Sequence, residues 1–202
     1  MLKNLLSTVQ QYADEHKRLE DEFTLKQQQI KEWYKGDMYK EQLDKAKEAY
    51  RSGVEALRAR AKPLIEQEVN EAKTAIKSVI TKPVTGEQLN LIQTAKLLNE
   101  SNMLSDVEKK EIMSKCKNNY LATRMLVDLF GLEYSPAKLQ AEGLLSRIDG
   151  ALKLINKNVI EAQGFNTERS SFTSAFVLQG DVINDIQSDV SVFVSSFSDG
   201  SE

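Results

Sequence analysis

The chain of 202 residues carries 28% charged and 41% apolar residues, with three prolines, nine glycines and one cysteine. That composition suits a helical protein better than a disordered chain, rules out an internal disulfide and a Cys-rich zinc cluster, and favours long helices with few turns. Net charge is −3, with 16 Lys/Arg against 14 Asp/Glu in residues 1–82, 6 against 7 in 83–134 and 5 against 9 in 135–202, so no segment concentrates the positive charge that a phosphate backbone demands and nucleic acid is not an expected partner.

The first region, 1–82, reads as two long helices. Steps of three and four from Leu2 meet Leu5, Val9, Tyr12, His16, Leu19, Phe23, Lys26, Ile30 and Trp33; eight of these ten positions are apolar or aromatic. A 3.5-residue period held for more than four heptads predicts a helix that pairs with other helices. "YKGDMY" interrupts it, with Gly36 as a C-terminal cap and Asp37 as the next N-cap. The second helix should run from Met38 to about Ile80. Its seam is Leu43, Tyr50, Leu57 and Leu64 with Val54 and Ala61, then Ile65, Val69, Ala72, Ile76 and Val79 in a register shifted by one residue. Pro63 sits at the shift, where a bend or a junction of two helices is expected.

The second region, 83–134, opens at "TKPVTGEQL", where Pro83 stops the preceding helix. Thr85 with Gln88, and later Ser105 with Glu108, have the spacing of capping boxes. Three short helices between 86 and 131 follow, closed by Gly131. Their expected core includes Leu89, Ile92, Leu97, Leu98, Leu104, Val107, Ile112, Met113, Tyr120, Leu121, Met125, Leu126 and Leu129. The third region, 135–202, starts a helix at Ser135–Pro136 that should reach about Ala162. After the turn "QGFNTERS" a last helix keeps a heptad through Phe172, Phe176, Gln179, Ile183, Ile186, Val190, Phe193 and Phe197. The β-branched stretch "SDVSVFVSSF" also suits a strand, but the 3.5 spacing over the whole run favours helix. The expected fold is all-α: a long helical hairpin, a small three-helix module and a C-terminal helical pair.

Few residues invite chemistry. His16 is the sole histidine and has Glu20 one turn on, which falls short of the three protein ligands a metal site needs; it reads as a seam residue. Cys116 in "MSKCKNN" has no base near it in sequence and reads as a small buried side chain. Asp181, Asp185 and Asp189 form a ladder on one helix face, and a straight helix does not wrap oxygens around a cation. Trp33 and Tyr34 read as an aromatic anchor at a helical elbow. Phosphate-binding glycine loops, serine elbows and HExxH pairs are absent. No enzyme, cofactor, metal or small-molecule substrate is expected. No apolar run reaches the ~18 residues of a membrane span, and Ser7, Thr8, Gln10 and Gln11 break the N-terminal stretch that a signal peptide would need.

The run "YKEQLDKAKEAYRSGVEALRARAKPLIEQEVNEAKTAI", followed by "PVTGEQLNLIQTAKLL", "LSDVEKKEIMSKC" and "NNYLATRML", resembles small uncharacterised helical proteins encoded in the head-gene clusters of tailed bacteriophages. The resemblance covers about residues 39–129. It implies a structural or assembly role in a virion, with no catalytic residues to carry over, in the host cytoplasm or the particle itself. The acidic C-terminal region departs from the basic ending of capsid scaffolds. Self-association is expected from the heptads, with Leu5, Val9, Tyr12, His16, Leu19, Phe23, Ile30 and Trp33 on the first helix, and Phe172, Phe176, Ile183, Ile186, Val190, Phe193 and Phe197 on the last, as the interface with further copies and other assembly proteins. The last helix has no obvious mate within the chain, which makes it the main reason for expecting an outside one. Two alternatives stand beside this reading. One is an adaptor whose 86–131 module grips a protein; the other is a membrane-active protein using its Phe-rich final helix, which the lack of basic residues there opposes.

Overall fold

The structure is a computed structural model that describes residues 4–132, 141–160 and 169–197, without the side chains of residues 158, 159 and 169–179. Leu2, the Ser135–Pro136 helix start, the 163–168 part of the turn, and the side chains of Val159, Phe172, Phe176 and Gln179 lie outside it. The described elements are α1 (Leu5–Trp33), α2 (Gly36–Ile80), α3 (Gly86–Glu100), α4 (Asp106–Cys116), α5 (Tyr120–Phe130), α6 (Ala141–Ile155), a π-helical turn (Asn156–Ile160) and α7 (Arg169–Phe197). The fold is all-α. Among the described residues there is no strand, and 188–197 continue α7.

The chain divides into two compact units whose borders fall inside helices. One unit comprises Leu2–Val69 and Gly150–Asn184, the other Asn70–Asp149 and Asp185–Glu202, with Met1.

In the first unit α1 and α2 form an antiparallel hairpin. The Asn4 amide donates to Glu68 at 2.9 Å, Arg60 donates to Glu15 at 2.8 Å, and Leu19 lies over Gly53, so partners descend along α2 as positions rise along α1. Leu5, Val9, Tyr12, His16, Phe23 and Ile30 are buried, which keeps the heptad of the sequence. The buried face of α2 runs Ala46, Tyr50, Val54, Leu57, Ala61, Ile65 and Val69 in this unit, and continues along the helix at Ala72 and Ile76 in the second. Tyr50, Ala61 and Ala72 stand eleven residues apart, a repeat that keeps pace with the turn of a straight helix. The expected register shift is this longer repeat, and it turns Leu64 outward. Helix α2 is one continuous element through Pro63. Pro63 and Ala59, whose carbonyl loses its bond to the missing N–H, are both exposed, so water can serve that carbonyl.

Local chemistry closes the hairpin. The Tyr34 amide ends α1 on the carbonyl of Ile30, and Gly36 enters α2 at φ +61°, a left-handed conformation glycine adopts without penalty. Among the described residues the buried seam of α1 ends at Ile30, and Trp33 is 70% exposed where the heptad predicts it covered.

In the second unit α3, α4 and α5 pack on one another around Ile92, Ala95, Cys116, Ala122 and Leu126. Both expected capping boxes form. Thr85 accepts from the Gln88 amide while Gln88 reaches back to the Thr85 amide, and Ser105 with Glu108 does the same. Gly131 closes α5 at φ +65°. Ala141, Leu144 and Ile148 of α6 and Ile186, Val190, Phe193 and Phe197 of α7 are buried. Ion pairs join Lys73 to Asp149 and Arg147 to Asp189.

Candidate functional site

Three places in the structure gather residues with chemistry or with contact surface. The first is a buried aromatic and polar layer inside the α1–α2 hairpin. His16 is 4% exposed. Its ring centroid lies 5.9 Å from that of Tyr12 on α1 and 6.3 Å, edge-on, from that of Tyr50 on α2. Tyr50 stacks on Phe23 at 5.1 Å. The Tyr12 hydroxyl donates to the carbonyl of Ile160 at 3.3 Å, which serves a backbone acceptor at the end of the π-helical turn. Burial holds the His16 imidazole below its ordinary value; the Glu20 carboxylate pulls the other way, and the Arg58 guanidinium adds to the lowering. Burial likewise pushes the Tyr12 and Tyr50 hydroxyls up, so both stay neutral across the physiological range.

The second place is the junction ahead of α5, and Asn119 holds it. This side chain is 1% exposed. Its Oδ1 accepts from the Ala122 amide at 3.0 Å as the N-cap of α5, and its Nδ2 donates to the carbonyls of Pro83 at 2.8 Å and Lys82 at 3.4 Å. The Thr123 hydroxyl donates to the carbonyl of Cys116 at 2.9 Å. One amide thus ties the α2–α3 connection to the start of α5. Sequence reading passed over Asn119, although Asn ahead of the apolar run "YLATRMLV" is an N-cap signal. Cys116 is fully buried beside it, and burial pushes its thiol up, away from the reactive thiolate.

The third place is the outer surface of the α3–α5 module. Leu89, Leu97, Val107, Leu121 and Met125, expected in its core, are exposed, and so are Met103 and Leu132. The reason is size. Helices of 15, 11 and 11 residues each bury one face, and so small an interior cannot hold thirteen large side chains. Leu121 and Met125 stand one helical turn apart and share the outer face of α5.

The residues expected at an interface fall as follows. Leu5, Val9, Tyr12, His16, Phe23 and Ile30 are buried, Leu19 is half-buried, and Trp33 is exposed. Ile183, Ile186, Val190, Phe193 and Phe197 are also buried by the chain itself. Here the structure departs from the expectation that the last helix lacks a mate. Tyr120 meets the rings of Phe193 at 5.6 Å and Phe197 at 5.4 Å, and Arg147 of α6 pairs with Asp189. The acidic ladder is accordingly divided, with Asp189 engaged and Asp181 and Asp185 exposed. Among the described residues no group of three or more His, Cys, Asp or Glu is arranged to hold a metal ion, and no helix is long and apolar enough to cross a membrane. The chain matches no protein-family model, no curated protein and no solved structure.

Proposed function

We propose that the protein is a non-enzymatic structural or assembly protein that joins copies of itself and other proteins through the outer surface of its α3–α5 module. One observation carries the reading. Of fourteen large apolar side chains exposed among the described residues, seven lie between Leu89 and Leu132, about a quarter of the residues whose side chains are described. Exposed apolar side chains concentrated on one small module mark a contact surface more often than an accident of composition. The seam of α1 from Leu5 to Ile30 and that of α7 from Ile183 to Phe197 are largely buried inside the chain, so association through them would first require α1 or α7 to leave its place. The module offers its outer face without rearrangement. The likeness of residues 39–129 to phage head-cluster proteins supports a virion or its assembly as the setting, in the host cytoplasm or in the particle.

Photo-crosslinking tests the reading. A photoreactive residue at position 125 is expected to trap an intermolecular product in concentrated full-length protein. The same residue at position 190, fully buried on α7, is expected to give none. Products from 190 and none from 125 would overturn the choice of surface.

A further inference from the structure

We propose that His16 is an acid-sensitive latch of the α1–α2 hairpin: a proton on its imidazole places a cation inside the buried aromatic layer of Tyr12, Tyr50 and Phe23, and α1 loosens from α2.

The chain has one histidine, and the fold sets it at the middle of the α1 seam rather than at the surface. Its neighbours on α1 are Tyr12 one turn before and Glu20 one turn after. Facing it from α2 are Tyr50 and Arg58. The π-helical turn, held to Tyr12 through the Ile160 carbonyl, carries one charged residue, Lys157, and that residue is exposed. Histidine is the side chain whose ordinary ionisation falls between pH 7.5 and 5. The two phenols are held neutral by burial.

A buried imidazole among rings is stable while neutral. Charging it removes a cation from water and sets it near another of like sign, and both effects favour a state in which α1 has moved away. Glu20 opposes this, because its carboxylate favours the imidazolium. The latch is therefore graded by two residues of opposite sign on the two helices. Opening uncovers Val9, Tyr12 and Phe23, so the same proton that loosens the hairpin presents an apolar seam.

The sign follows from linkage. The folded state takes up its proton at lower pH than the unfolded state does. Above the ordinary imidazole value both states are neutral and the proton has no effect. Below it the open state gains protons that the closed state refuses, and the opening equilibrium shifts by up to about tenfold per pH unit until the folded value is passed.

Hydrogen exchange of the full-length protein tests this, read on the α1 amides between Val9 and Phe23 at pH 7.5 and 5.0 after correction for intrinsic rates. Wild type is expected to show faster opening of α1 at pH 5.0, by about tenfold. His16→Gln is expected to show the same opening at both values, and Glu20→Gln a larger acid response than wild type. His16→Phe, which refills the layer with a ring that does not titrate, repeats the first test should the Gln variant fold poorly. An NMR titration of wild type follows one imidazole without assignment ambiguity and is expected to give a midpoint below about 6.5. An acid response unchanged in both His16 variants, or a midpoint at or above the ordinary value, would overturn the latch.

Discussion

Asn119 shows how much one side chain can hold. Its three hydrogen bonds serve one amide of α5 and two carbonyls of the α2–α3 connection, all in a place that water does not reach freely. Asn119→Ala removes the cap and strips those carbonyls of a donor, so a loss of about 2–3 kcal/mol is expected in urea unfolding. Asn119→Ser keeps a capping oxygen without the amide donors and should recover part of that loss. A change below about 0.5 kcal/mol in the Ala variant would show that the junction is held by something else. Gly150 offers the opposite case. It sits inside α6, and a Cβ there would meet nothing within 4 Å. Gly150→Ala should stabilise by about 0.5–1 kcal/mol, because the only effect left is the lower entropy of the unfolded chain. Thermal unfolding reads that gain directly, and destabilisation would contradict it.

At the scale of elements, the first hairpin separates residues that a heptad count treats alike. Phe23 is buried in a cluster with Ile30, Ala46, Tyr50 and Val54, while Leu19 covers Gly53 from a half-exposed position. Phe23→Ala is expected to cost about 3–5 kcal/mol. Leu19→Ala should cost less, about 1–2 kcal/mol, because only part of its surface leaves water on folding. Equal losses in equilibrium unfolding would mean that the hairpin is packed differently. The existence and extent of α1 were legible because a long 3.5-residue stripe has one simple reading. The two capping boxes and Gly131 were legible because each side chain acts within its own helix end. Exposure in the α3–α5 module was not. Periodicity marks which residues share a face, but not which faces a short helix has neighbours to cover, so Leu97 and Met125 read the same as Ile92 and Leu126. Trp33 failed for a related reason, since a heptad cannot tell where the facing helix ends.

For the whole molecule, the same limit shifts the argument about association. Aromatic residues on the last helix suggested a partner outside the chain, yet Tyr120, more than seventy residues earlier in sequence, is what Phe193 and Phe197 meet. Contacts so distant in sequence carry no local signal. Phe193→Ala is expected to lose about 3–5 kcal/mol of stability by opening a cavity against Tyr120; a fully stable variant would return α7 to the list of free surfaces. The most direct test of the account is sedimentation equilibrium of the full-length chain from low to high micromolar concentration, alongside the double variant Leu121→Ser, Met125→Ser. The account predicts that the wild type rises above the single-chain mass of 22.8 kDa with concentration and that the variant, equally helical, stays at it. A wild type that remains at the single-chain mass throughout, or a variant that associates as the wild type does, would contradict it.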